Sequence, residues 1–118
     1  MAGLSTHVLD VVRGGPARGV PVELFSVGAD GARVSLRRTT TNADGRTDAP
    51  ILSASEARVG AYELVFLVGD YFRSSGAPVA DPPFLDVVPL RFSIADVAAH
   101  YHVPLLVSPW SYSTYRGS

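Results

Sequence analysis

The chain has 118 residues, 47% of them apolar and 18% charged, which suits one domain with its own core and argues against disorder. Ten basic and eleven acidic residues leave a net charge of -1 with no basic stripe, so nucleic acid is excluded as a partner. With no cysteine, disulfides and thiolate catalysis are excluded, and no apolar run approaches the ~18 residues that span a bilayer.

The opening MAGLSTHVLDVV has neither the basic segment nor the apolar stretch of a signal peptide, which predicts a soluble, cytoplasmic protein. Alternation predicts a strand over residues 4–12, with Thr6, Val8 and Asp10 on one face and His7, Leu9 and Val11 on the other. Arg13, Gly14, Gly15 and Pro16 form a turn cluster. A second strand over 20–27 carries Val20, Val22, Leu24 and Ser26 on one face; Pro21, on the other, marks a strand start or an edge. Ala29, Asp30 and Gly31 close a hairpin to a third strand over 33–41. The tight turn over 42–45 uses Gly45 for a positive φ and fixes Arg46 directly behind it.

Ser53 to Glu56 has the spacing to cap one helical turn and nothing longer. Residues 60–68 read as a central strand, with Tyr62, Leu64, Phe66 and Val68 alternating against Ala61, Glu63, Val65 and Leu67. A short helix is predicted over 70–75, ended by Gly76 and Pro78. A loop over 81–84 leads to a strand over 86–94, then to paired strands over 100–107 and 110–115. Seven or eight short strands separated by turn signals predict an all-β sandwich, with one domain covering 1–118.

The chemistry-bearing residues are few. There are three histidines, His7, His100 and His102, and strand alternation puts His100 and His102 on one face. An imidazole titrates near neutrality, which suits it to general acid-base work in hydrolysis. Three imidazoles can also hold zinc with a water in the fourth position, although H-x-H alone is weak evidence for that. No G-x-S-x-G elbow, glycine-rich phosphate loop or carboxylate pair is present, so direct attack by water is the simpler chemistry.

Four segments, in order, carry a family resemblance: THVLD at 6–10, RGGPARGVPVELF at 13–25, TNADGR at 41–46 and HYHVPLLVSPWSYSTYRGS at 100–118. They resemble the 5-hydroxyisourate hydrolases, the transthyretin-like enzymes of purine catabolism, and the YRGS ending is the most specific of them, since transthyretin proper lacks it. The resemblance implies a transthyretin-like (prealbumin-like) sandwich of two four-stranded sheets with a short helix after the fifth strand. It also implies a homotetramer, a dimer of dimers with sites at the subunit interface, and no cofactor or catalytic metal.

The expected reaction is hydrolysis of the N1–C6 bond of 5-hydroxyisourate to 2-oxo-4-hydroxy-4-carboxy-5-ureidoimidazoline, with His7 or His102 deprotonating water. The resemblance makes the first and seventh strands neighbours, bringing His7 to the histidine pair. It assigns catalysis to His7, Arg46, His100, His102 and Ser118, and substrate binding to His7, Arg46, Tyr115 and Arg116. Arg46 would hold the anionic ring by its planar fork of donors. Tyr115 would donate its hydroxyl, and the α-carboxylate expected on Ser118 would orient a histidine or Arg116. The rival reading is a transthyretin-type carrier of small aromatic hormones, but such carriers resemble this chain less: they have lysine at the position of His7 and an acidic residue at that of Arg46. A purely structural sandwich leaves the histidines without a purpose.

Overall fold

The computed structural model, which describes residues 3–117, divides the chain into eight strands and one helix. They are β1 (Gly3–Asp10), β2 (Gly15–Pro16), β3 (Pro21–Val27), β4 (Arg33–Thr40), β5 (Gly60–Phe66), α1 (Val68–Ser75), β6 (Val88–Ile94), β7 (His100–Val107) and β8 (Tyr112–Thr114). One sheet has the order β2-β1-β7-β8 and the other β4-β3-β5-β6. This is the all-β sandwich that strand alternation predicts, in the form the resemblance implies, two four-stranded sheets with a helix after the fifth strand.

The core follows from alternation. Val8 and Leu105 of the first sheet and Leu24, Leu64 and Phe66 of the second have no solvent exposure, and all lie at the inward positions of their strands. Burying one such side chain contributes about 1.5–3 kcal/mol. On the outward face of the second sheet, Glu63 of β5 is covered by two arginines, Arg33 of β4, reaching across β3, at 2.8 Å and Arg91 of the adjacent β6 at 3.0 Å. Arg33 also lies over the Phe25 ring, 4.2 Å from its centroid. The single helix is eight residues long, and no described helix is long and apolar enough to cross a membrane.

Element ends differ from the alternation pattern where side chains intervene. β1 stops at Asp10 rather than running to Val12. Asp10 Oδ1 accepts from the amides of Val12 (3.0 Å) and Arg13 (3.1 Å), an Asx turn that leaves Val11 and Val12 exposed. Gly15–Pro16, expected as turn, pairs back on β1 opposite Leu9 and Asp10. Val68 belongs to the helix, because β5 passes straight into α1 with Gly69 pressed against Asp86 and Pro83. Pro21 starts β3, which is an inner strand, so the edge reading of that proline is wrong. The segment 53–57 is one turn, in which the Glu56 carboxylate accepts from the Ser53 amide at 2.9 Å and the Ala57 amide bonds back to Ser53.

Candidate active site

The site begins with the parallel pairing of β1 and β7. Its register sets Gly3 beside His100, Ser5 beside His102 and His7 beside Pro104. Directly opposed residues of paired strands share a face, so His7, Ser5, His100 and His102 stand together on the outward face of the first sheet. The neighbouring Thr6, Val8, Tyr101 and Val103 point inward and are buried. Thr6 fastens the two strands from the core side, its hydroxyl donating to the Val103 carbonyl at 2.7 Å.

Arg46 reaches the same face by way of its loop. Asn42 Oδ1 accepts from the amides of Asp44 (2.9 Å) and Arg46 (3.2 Å), and the Asn42 amide donates to the Arg46 carbonyl at 2.7 Å. The closed loop is pinned to β1 by a 2.8 Å hydrogen bond from the Val8 amide to the Gly45 carbonyl. Gly45 has φ +74°, and a Cβ there would sit 2.4 Å from the Val8 carbonyl oxygen and 3.2 Å from the His7 ring. Glycine is therefore required both for the turn and for its close approach to His7. Arg46 is exposed, and among the described residues no carboxylate pairs with it. It borders a cleft of about 220 Å³ with Ser5, Asp48 and Pro50.

Electrostatics makes the imidazoles a set. Burial, then the Arg46 guanidinium, pulls His7 below the ordinary histidine value, while Asp44 acts more weakly in the other direction. His102 is lowered by burial first, then by Arg46, His7 and His100. Ser5 lies between the other two rings, its Oγ 2.9 Å from His100 Nε2 and 2.8 Å from His102 Nδ1. Composition and motif did not single out Ser5; its only sequence signal is its place two residues before His7, hence on the same face. Among the described residues, no three His, Asp or Glu side chains are disposed to hold a metal ion.

The end of the chain approaches the cluster by its backbone. The Gly117 amide donates to the His102 carbonyl at 2.7 Å, and a Cβ on Gly117 would lie 2.6 Å from the His102 ring. Arg116 and Tyr115 go elsewhere within the chain. Arg116 stacks on the inward-facing Tyr101 ring, 4.1 Å from its centroid. Both line a larger, apolar cleft of about 400 Å³ with Leu90, Phe92, Tyr101 and Val103, on the other side of β7 from the histidines. Tyr115 is 59% exposed there. Ser118 lies outside the described residues. Within the chain, then, the fold brings together His7, Arg46, His100 and His102 but not Tyr115 or Arg116.

The chain is similar to known proteins over nearly its whole length. A 5-hydroxyisourate hydrolase of Deinococcus radiodurans is 57% identical over 116 residues, covering 98% of this chain and 96% of that protein. The solved structure of Klebsiella pneumoniae 5-hydroxyisourate hydrolase superposes with a TM-score of 0.81 at 36% identity, covering all of both chains. Sea bream transthyretin, solved in complex with thyroxine, gives a TM-score of 0.86 at only 28% identity, covering 97% of this chain and 93% of its own. The model of the HIUase/Transthyretin family matches residues 4–117, and with the sandwich topology and full-length relatives alongside it, the chain belongs to that family.

Proposed function

We propose that this chain is an enzyme that hydrolyses 5-hydroxyisourate, opening the six-membered ring at N1–C6 to give 2-oxo-4-hydroxy-4-carboxy-5-ureidoimidazoline in urate breakdown. The observation that carries the reading is the gathering of three imidazoles beside a guanidinium that no carboxylate pairs among the described residues, on one sheet face, in a chain 57% identical to a hydrolase of that name. Arg46 receives the carbonyl-rich edge of the anionic ring. One of His7 and His102, both kept neutral near pH 7 by burial and Arg46, takes a proton from water. The water oxygen bonds to C6, the N1–C6 bond breaks, and N1 receives the proton. No cofactor is required in this scheme.

A homotetramer, a dimer of dimers with sites at subunit interfaces, fits the surface: β8 and β6 end their sheets, and Trp110 (60%) and Tyr112 (44%) stand exposed nearby. Assembly also gives Tyr115 and Arg116, which point away from the histidines of their own subunit, a route into a shared pocket. Ser118, next to the Gly117 that lies on His102, stays in the proposal as a residue of that pocket. We place the enzyme in the cytoplasm, as one domain over 1–118. The carrier reading has less support, since sea bream transthyretin is half as similar to this chain as the hydrolase is.

The test follows ultraviolet absorbance while urate oxidase converts urate. Added protein should speed the decay of the 5-hydroxyisourate signal well beyond its spontaneous rate. An unchanged decay with folded protein present would overturn the reading.

A further inference from the structure

Ser5 bridges two imidazoles, and the chemistry of a hydroxyl restricts how it can do so. It has one proton to donate and two lone pairs to accept with, so between two neutral rings it either donates to one and accepts from the other or accepts from both. Two arrangements satisfy both contacts and give the hydroxyl proton an acceptor; a third, in which the hydroxyl accepts from both rings, leaves that proton without an acceptor among the described residues and puts His102's proton on the less preferred Nδ1. In the first, His100 Nε2–H donates to Ser5, whose hydroxyl donates to His102 Nδ1; each ring then carries its proton on Nε2. In the second, the hydroxyl donates to His100 Nε2 and accepts from His102 Nδ1–H, so each ring carries its proton on Nδ1.

Two considerations select the first. His100 Nδ1 is buried and has no hydrogen-bond partner among the described residues. The second arrangement would place an N–H at that atom, and buried N–H groups without acceptors are rare in folded proteins. A neutral histidine side chain also intrinsically prefers its proton on Nε2, and the first arrangement meets that preference in both rings.

We infer that Ser5 is a positioning residue that holds His100 and His102 in the Nε2–H tautomer, so that His102 meets the substrate as a hydrogen-bond donor and not as the base. The inference rests on the hydrolase reading and sharpens it. A neutral imidazole N–H is suited to stabilising the negative charge that develops on the attacked carbonyl. Proton abstraction then falls to His7: it takes the proton of water as the O–C6 bond forms and returns it to N1 as N1–C6 breaks. His102 is neither protonated nor deprotonated in the cycle, and its lowered pKa keeps it in that neutral form.

Long-range proton–nitrogen NMR of the full chain at about pH 8, above the histidine range, reads the tautomer of each ring. Histidine-to-asparagine variants supply the assignments. Wild type should show Nε2–H for both His100 and His102. Ser5→Ala should release His102 into a mixture of tautomers and lower kcat on 5-hydroxyisourate roughly tenfold or more, part of the ~10²–10⁴-fold range of acid-base effects, with KM changed less than about twofold. Ser5→Thr, which keeps the hydroxyl on a strand position, should restore both. A wild-type His102 protonated on Nδ1 would overturn the inference, and that spectrum decides the tautomer even where a variant is unstable. So would a Ser5→Ala protein whose tautomers do not change, whatever its rate, or one whose tautomers change without loss of kcat. The spectra need no turnover, so failure to hydrolyse 5-hydroxyisourate would sink the enzymatic reading separately from the tautomer result.

Discussion

His7 and His102 differ from a solvated imidazole in two respects that act in the same direction: both are half-buried and both stand near Arg46. Each effect disfavours the cation, so the neutral form persists to lower pH than in a free histidine. Hydrolysis should therefore hold its rate from about pH 8 downward and lose it only below the ordinary histidine value of about 6.5. Replacing Arg46 with Gln removes a cause of the lowering, so His7 and His102 should titrate at higher pH in NMR; unmoved titrations would show that the guanidinium is solvated and remote. His7→Asn should fold normally and reduce kcat/KM by ~10²-fold or more, the usual scale for a lost acid-base group. Near-normal turnover in that variant would remove His7 from the proton transfer. The same lowered values bear on stability. The unfolded chain binds protons on these rings below about pH 6.5, whereas the folded chain resists until lower pH. Folding stability is thus fully present above that value and declines as the pH falls through the window beneath it. Urea midpoints should fall on acidification, and less so in His102→Asn.

At the scale of elements, two glycines bring backbone against the histidines: Gly45 from the loop after β4 and Gly117 after β8. Ring movement could absorb a new Cβ at Gly117 only by sacrificing the 2.8 Å contact between His102 Nδ1 and Ser5. Gly117→Ala should therefore leave thermal unfolding within a few degrees of wild type while lowering kcat and perturbing the His102 ring signals. Wild-type kinetics in that variant would mean the chain end is free to move off His102. The longer strands and the shared face of His100 and His102 were legible in the sequence because alternation determines them, and the helix because Gly76 and Pro78 end it, whereas the two-residue β2 read as turn. The nearness of His7 was not, because nothing local to 3–10 says which strand lies beside it; the resemblance supplied that neighbour, and the parallel β1–β7 pairing is a long-range property. Ser5 was missed for the same reason: a serine in a strand means little until the opposite strand offers two ring nitrogens. The early end of β1 escaped notice because Val11 and Val12 continue the apolar pattern, and only the Asp10 side chain breaks it.

At the scale of the whole molecule, the two sheets are held together by their apolar faces and by a few buried polar ties. Asp10 closes β1 of the first sheet and is 3% exposed, while Tyr71 lies in α1, which follows β5 of the second. The Tyr71 hydroxyl donates to Asp10 Oδ2 at 2.7 Å, and the ring packs edge-on against Phe72, 5.0 Å between centroids. Burial and the neighbouring carboxylate push the Tyr71 hydroxyl up to about 12, so it remains a donor at neutral pH. This bond fastens the helix of one sheet to the strand end of the other, on the core side of β1 and away from the outward-facing histidines. Tyr71→Phe keeps the ring and its packing but leaves one Asp10 oxygen buried without this donor. The cost should be about 1–3 kcal/mol, the usual penalty for an unsatisfied buried group. Asp10 Oδ1 keeps its two amide donors, so the Asx turn should survive and β1 should still end at the same residue. The variant should accordingly unfold at lower urea with an unchanged slope, while kcat and KM per folded molecule match wild type. A loss of activity in step with the loss of stability would show that the inter-sheet tie also sets the geometry of the histidine face. An unchanged urea midpoint would show that the tie contributes nothing to holding the sheets together.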